Sequence, residues 1–187
     1  MTDPDDLASA IERAQAGDAR GFETLFRAFG PSIVGYFRAR NVSDPDGLAN
    51  DVFLRAFRTV HTFHGDGARF RSWLFTIARN TAIDDSRRRR RRVAEAPLEH
   101  AADPASGDVE ADALARLARA RVDTLLAGLS PDQREVITLR IVADLTVEET
   151  AAVVGKGYEA VKGLQRRGLA SLRRVLADDS SQEAVPR

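Results

Sequence analysis

The stretch Thr146 to Leu176, TVEETAAVVGKGYEAVKGLQRRGLASLRRVL, decides the fold class of this chain. Thr146-Val147-Glu148-Glu149 is a capping box, in which a Thr and the Glu three residues on satisfy each other's free backbone N–H groups. Ala151 and Val154 give that short helix an apolar side, and Gly155-Lys156-Gly157 is a tight turn. A longer helix follows. Val161, Leu164, Gly168, Leu172 and Val175 recur along one side of it, and Glu159, Lys162 and Arg166 fall on the opposite face. A short capped helix, a glycine turn and a longer basic helix are the build of a helix-turn-helix. Arg167, Arg173 and Arg174 are placed to reach phosphates, which supply salt-dependent affinity, whereas base-edge contacts supply sequence choice. An ordinary helical hairpin with a solvated charged face has the same pattern, and the pattern alone divides the two readings evenly.

Working upstream, Ser130-Pro131-Asp132-Gln133 is a second capping box, opening a short helix that carries Val136, Ile137 and Leu139. Before it, Leu114, Leu117, Ala118, Val122 and Leu125 keep helical spacing up to Gly128. Residues 93–112 break the pattern: they contain Pro97, Pro104 and Gly107, six acids (Glu95, Glu99, Asp103, Asp108, Glu110, Asp112) and no Lys or Arg. This reads as a flexible acidic linker. The first 92 residues form four helices. Asp3-Pro4 opens the first, and Gly17 stops it. Asp18 caps the second, which carries Phe22, Leu25, Phe26, Phe29, Ile33 and Phe37 and bends at Gly30-Pro31. Asp44-Pro45 opens the third, with Leu48, Val52, Phe53, Ala56, Phe57 and Val60. His61 to Arg69, with Gly65-Asp66-Gly67, is a loop. The fourth starts near Phe70, with Phe70, Trp73, Leu74, Ile77, Ala78 and Thr81 on its apolar side, and runs into Arg87 to Arg92. Trp73 on that stripe reads as core ahead of stacking platform. No stretch alternates as a strand, so the fold is all-α: two small helical domains, 1–92 and 113–177, joined by the linker 93–112, with a disordered tail over 178–187.

Composition agrees. Apolar residues make up 43% of the 187 and charged residues 30%, enough for a packed core. The formal net charge is zero, but its distribution is not even. Residues 1–92 hold 16 Arg against 12 acids, and residues 113–187 hold 12 basic against 10 acidic side chains, so two basic segments flank an acidic one. There is no cysteine, which excludes disulfides and thiolate metal sites. No apolar run is long enough to span a bilayer, and Met1 to Leu7 is acidic without an apolar signal core, so a cytoplasmic chain with no membrane insertion is expected. Enzymatic constellations are missing. There is no phosphate-cradling glycine motif, His61 and His64 have no further ligands beside them, and Asp84-Asp85 diverge on a helix. No catalytic residue, metal or cofactor is expected.

Arg87 to Arg92 are six consecutive arginines, which in isolation read as a solvated helix end or a targeting signal. Their context narrows the reading. Ser72, Thr76 and Arg79 share a polar face on the same helix, so the run extends a basic rail. Beside a glycine-rich loop and the aromatics Phe63, Phe70 and Trp73, such a rail can hold an unstacked DNA strand.

These residues resemble a known family. Phe70-Arg71-Ser72-Trp73-Leu74-Phe75-Thr76-Ile77-Ala78-Arg79-Asn80 with the arginine run is similar to the promoter-melting region of extracytoplasmic-function sigma factors. Asn50-Asp51-Val52-Phe53-Leu54-Arg55-Ala56-Phe57-Arg58 resembles their polymerase-binding helix, and Leu129-Ser130-Pro131-Asp132-Gln133-Arg134-Glu135-Val136 the opening of their fourth region. The resemblance covers about residues 18–92 and 113–177. It implies an alternative sigma factor that binds core RNA polymerase, recognises promoter DNA and is held in check by an anti-sigma factor. By the same resemblance Leu48, Asn50, Asp51, Leu54 and Arg55 dock on the polymerase. The loop His61 to Arg69 receives a flipped base of the −10 element, and Phe63, Phe70, Arg71, Arg79, Asn80, Arg87 and Arg88 lie at −10 DNA. Glu159, Lys162, Gln165, Arg166 and Arg167 read the −35 duplex, and the acidic linker threads the polymerase's channels. The chain departs from the family pattern at Gly157, where a Ser usually caps the recognition helix. Ala160 and Gly163 replace hydroxyl residues, and Leu164 replaces a basic one. The alternative is a stand-alone helix-turn-helix regulator, which would have no use for residues 48–80.

Overall fold

The computed structural model describes residues 4–95, 121–122 and 124–183, with the side chains of residues 6–92, 121–122 and 124–177, and among them there is no strand. The first group is α1 (Pro4–Gln15), α2 (Ala19–Arg38), α3 (Pro45–Thr59), a short 3₁₀ turn (Val60–Thr62) and α4 (Gly67–Glu95). Leu7, Ala10, Ile11 and Ala14 lie one above another on α1 and are buried. Gly17, at φ +80, turns the chain into α2. Asp18 caps α2: its carboxylate accepts from the Arg20 N–H and from Arg13 Nε, both at 2.9 Å. Those bonds, the backbone one first, hold the Asp18 carboxyl below the usual carboxylate range. α1 crosses α2 at Gly21, where an added Cβ would come within 2.5 Å of the Ala14 nitrogen and 2.7 Å of the Ala10 carbonyl oxygen.

α2 continues through Gly30 and Pro31 as one helix, so the expected bend does not divide it. Pro31 is exposed, and the hydrogen bond it removes lies on the water side. Leu25, Ile33, Tyr36 and Phe37 from α2 close the core with Val52, Phe53 and Ala56 from α3 and Phe70, Leu74, Phe75 and Ala78 from α4. α4 starts three residues before Phe70, because Asp66 accepts from the Arg69 N–H at 2.9 Å and caps the helix there. Its far end continues to Glu95, so residues 93–95 are helical where the sequence suggested linker. The rest of the acidic segment, from residue 96, lies outside the described residues.

The second group is α5 (described residues 121–122 and 124–127), α6 (Pro131–Ile141), α7 (Val147–Val154) and α8 (Tyr158–Glu183). Both expected capping boxes form, Ser130 with Gln133 and Thr146 with Glu149. Gly155 ends α7 in the left-handed region at φ +68. α8 crosses α6 at Gly168, where an added Cβ would lie 2.9 Å from Ile137 Cγ1. α8 is longer than expected: its backbone stays helical over residues 178–183, which had read as disordered tail. Those residues are polar, but no Gly or Pro interrupts them, so nothing in the backbone stops the helix.

The two groups share one core. Val136, Leu139, Ala143, Leu145, Val153, Val154 and Val161 join the same apolar cluster as the first group's residues. α7 lies against α4. At Gly35 on α2 an added Cβ would be 2.9 Å from Val142 Cγ1 at the end of α6.

Candidate nucleic-acid and partner interfaces

Four surfaces carry the residues singled out above. The first is the outer face of α3. Val52, Phe53 and Ala56 point inward, which turns Asn50, Asp51 and Leu54 outward, and Leu54 is 54% exposed. Leu48 is half-buried against the core, and Arg55 is tied to Asp84 of α4 at 3.5 Å. Beside Asn50 opens a groove of about 750 Å3, floored by Phe26, Pro31, Val34 and Ala49 and rimmed by Glu23, Arg27, Arg38 and Asp46. Phe26 belongs to the apolar stripe of α2, yet it is 45% exposed. The stripe is wider than the core it covers, which periodicity does not reveal.

The second surface is the loop after α3. Phe63 and Phe70 are buried, with ring centroids 5.3 Å apart, and each is 5.3 Å from the half-buried Trp73. Phe70 lies inside, as its place on the apolar side of the fourth helix implied, and Phe63 joins it, so neither ring is open to a base. They fill the space beneath the loop, and Trp73, as expected, is largely packed. Gly65, at φ +153, occupies backbone space that favours glycine. Gln15 at the end of α1, which nothing in the sequence marked, donates to the carbonyls of Val60 (3.2 Å) and Phe63 (2.7 Å). Between α1 and the loop lies a cavity of about 370 Å3 lined by Ile11, Glu12, Gln15, His61, Phe63 and His64 among others.

The third surface is α4. Asn80, Arg87 and Arg88 are exposed along the rail, as are Arg90, Arg91 and Arg92, while Arg89 pairs with Asp85 at 2.8 Å. Arg71 and Arg79 are half-buried and engaged by the second group. Arg71 donates to the Asp144 carbonyl at 3.2 Å, with the Asp144 carboxylate 3.8 Å away. Arg79 Nε lies 3.7 Å from Glu135 Oε1. Glu135 is also paired with Arg40 and accepts from the Tyr36 hydroxyl at 2.8 Å, and its side chain is only 12% exposed. Arg40 itself sits over the Tyr36 ring, 5.4 Å from its centroid.

Burial pushes the Tyr36 phenol up to about 12 from 10.0, against the opposing pull of Arg40 and Arg79. A raised acid favours the packed state below the unfolded value and loses that advantage as pH climbs through the folded one. Stability should therefore drop between pH 10 and about 12. Urea unfolding across that window checks it: Tyr36→Phe should flatten the fall, and an unchanged slope would contradict it.

The fourth surface is the α7–α8 pair. Glu159, Lys162, Arg166 and Arg167 are exposed and Gln165 is half-buried. An open groove of about 570 Å3 runs along Glu159, Lys162, Gln165, Arg166, Leu169 and Arg173. Lys162 Nζ lies 5.2 Å from the centroid of the Tyr158 ring and 3.9 Å from Glu159. Tyr158, 42% exposed at the head of the helix, was missed in the sequence because it opens the helix instead of repeating along it. His61 and His64 have no ligand set: no group of three or more His, Cys, Asp or Glu among the described residues could hold a metal. No helix among the described residues is long and apolar enough to cross a membrane.

A helix-turn-helix with an open basic face, joined to a second helical module that carries an arginine rail, defines a two-module DNA-recognition protein. Residues 25–92 match the model of Sigma-70 region 2 and residues 125–174 that of Sigma-70, region 4. The chain is 35% identical over 177 residues to the ECF RNA polymerase sigma factor BldN of Streptomyces coelicolor, covering 93% of this chain and 67% of that one. It is 36% identical over 171 residues to the RNA polymerase sigma factor CarQ of Myxococcus xanthus, covering 90% and 96%. The solved structure of CnrH in complex with the cytosolic domain of CnrY superposes with a TM-score of 0.71 at 27% identity, over 93% of this chain and 99% of that one. The chain belongs to the extracytoplasmic-function sigma factors of RNA polymerase. The region 2 match accounts for residues 48–80, which the stand-alone regulator would not need.

Proposed function

We propose that this chain docks on core RNA polymerase through the outer face of α3, Leu48, Asn50, Asp51, Leu54 and Arg55, with the Phe26 groove beside them. It opens −10 DNA along α4 and reads the −35 element as duplex with α8. The observation that carries this is the pairing, on one chain, of an apolar groove with two separate basic helical faces. In the −10 step the loop 61–66 and the cavity behind it receive an extruded base. Phe63 and Phe70 support the loop from beneath, and Arg71, Arg79, Asn80, Arg87 and Arg88 hold the backbone. Extruding a base costs a few kcal/mol, which a pocket and contacts to one strand offset. No bond is made or broken, so the role is not enzymatic. Glu159, Lys162, Gln165, Arg166 and Arg167 line the −35 groove, with Gly157, Ala160, Gly163 and Leu164 setting a reading of their own. The chain works where the polymerase does, in the cytoplasm. By its likeness to CnrH, whose solved structure includes the cytosolic domain of CnrY, it is held inactive by an anti-sigma partner.

Transcription in vitro from fragmented genomic DNA tests this. Core polymerase should start at a discrete set of sites only when the chain is added, and an unchanged pattern of starts would overturn the reading. Gln15→Glu sharpens the test, because a carboxylate facing two carbonyls cannot donate. Initiation from duplex templates should fall roughly tenfold, the loss of two part-buried hydrogen bonds at about 0.5–1.5 kcal/mol each. A template already opened at −10 should restore much of it.

A further inference from the structure

Lys162, on the proposed −35 face, does not stand alone in its groove. Its ammonium lies 5.2 Å from the centroid of the Tyr158 ring, one turn back on α8, and 3.9 Å from Glu159 Oε1. Residues four apart share a helix face, so ring and cation meet without distortion of the backbone. At 3.9 Å the carboxylate attracts the ammonium without taking one of its N–H groups. The three donors of the ammonium stay available to a ligand. Ala160 and Gly163, close to Lys162 in the chain, supply no hydroxyl that could hold it.

Tyr158 acts from outside the groove. The residues lining that groove include Glu159, Lys162, Gly163, Gln165 and Arg166 but not Tyr158. The ring is 42% exposed and is no part of the apolar core. A Cβ at Gly157, just before it, would have no atom within 4 Å, so the head of α8 is open there.

A lysine left to itself samples many rotamers, and ordering it on DNA costs affinity. A cation held over an aromatic face is ordered in advance. Donor and acceptor chemistry says what it is held for. In the major groove guanine shows two acceptors, O6 and N7, and its cytosine partner shows an amino donor, N4. A lysine suits the first and a glutamate the second. Lys162 and Glu159 stand side by side as such a donor and acceptor.

We infer that Tyr158 is a positioning residue for sequence choice: its ring holds the Lys162 ammonium beside the Glu159 carboxylate, so that the two together read one G·C base pair. This rests on the proposal that α8 lies on the −35 duplex, and the test separates the two ideas.

The test uses the full chain bound to core RNA polymerase and a pool of duplex fragments of random sequence, with the retained fragments sequenced. Lys162→Ala should relax the preference for G·C at one base pair. Tyr158→Leu keeps an apolar side chain and removes the aromatic face. It should relax the same pair by roughly two- to fivefold, the worth of an exposed cation–π contact. Tyr158→Phe retains the face and should keep the wild-type preference. Added to Lys162→Ala, Tyr158→Leu should cost nothing more, because the two residues act as one unit. Lost preference in Tyr158→Phe would place the hydroxyl on DNA and overturn the proposal. So would an even loss of affinity at every position in Tyr158→Leu, the mark of a merely structural role. If Lys162→Ala relaxes a pair that Tyr158→Leu leaves intact, Tyr158 positions nothing while α8 keeps its place on the duplex. If Lys162→Ala changes no position at all, the −35 reading of Lys162 fails, and the role of Tyr158 with it.

Discussion

Charge reversal at Asp51 should remove most of this chain's affinity for core RNA polymerase and leave duplex binding by α8 intact. Asp51 and Leu54 stand exposed on α3, next to the groove floored by Phe26, Pro31, Val34 and Ala49. An apolar centre with a charged rim is the anatomy of a surface that binds another protein. Where docking buries Asp51 in a hydrogen-bonded charge pair, losing it costs about 2–5 kcal/mol, and Arg in its place adds repulsion. Asp51→Arg should therefore weaken assembly by roughly a hundredfold or more, read by fluorescence anisotropy with labelled chain. Because Asp51 is exposed, circular dichroism and unfolding midpoint should hardly move. Wild-type affinity in the variant would remove α3 from the docking surface.

The second large effect is expected on α8. Lys162→Ala combined with Arg166→Ala strips two exposed cations from the groove proposed to face duplex DNA. A base-edge contact carries about 1–3 kcal/mol, and each lost phosphate contact lowers the salt slope by about one. Affinity for promoter duplex should fall by roughly a hundredfold, with polymerase binding unaffected. A salt titration divides the roles: a lower slope marks a phosphate contact, and an unchanged slope with relaxed sequence choice marks a base contact. If start-site selection survives the double substitution, the reading head lies elsewhere.

The parts of this molecule legible in the sequence are those fixed locally. The capping boxes at Ser130 and Thr146, the caps at Asp18 and Asp44 and the turn at Gly155 each involve residues at most five apart, and all formed as read. The inward faces of α2, α3 and α4 followed from spacing for the same reason. What failed depends on distant partners. Tyr36 meets Glu135 across 99 positions, and no local pattern marks either residue. Charge made Arg71 and Arg79 visible, but charge does not say whether a phosphate or a carboxylate takes them. An aromatic ring packs equally well on a base or on another ring, so the sequence could name Phe63 and Phe70 as neighbours of the loop without saying that both rings lie inside, Phe70 on the apolar side of its helix as read. Gln15 is a single amide at the end of an amphipathic helix, and only the path of the loop above it gives it a task.

The crossing at Gly168 bears on how the proposed −35 reading helix is aimed. The pitch of α8 is set where its glycine meets Ile137, on the side facing away from the groove lined by Lys162 and Arg166. Enlarging either residue would tilt the whole rod and re-aim every side chain in that groove together. Under the proposed −35 role, this chain's sequence choice thus depends on a fine adjustment among the groove side chains and on a coarse one at a helix crossing that lies away from them.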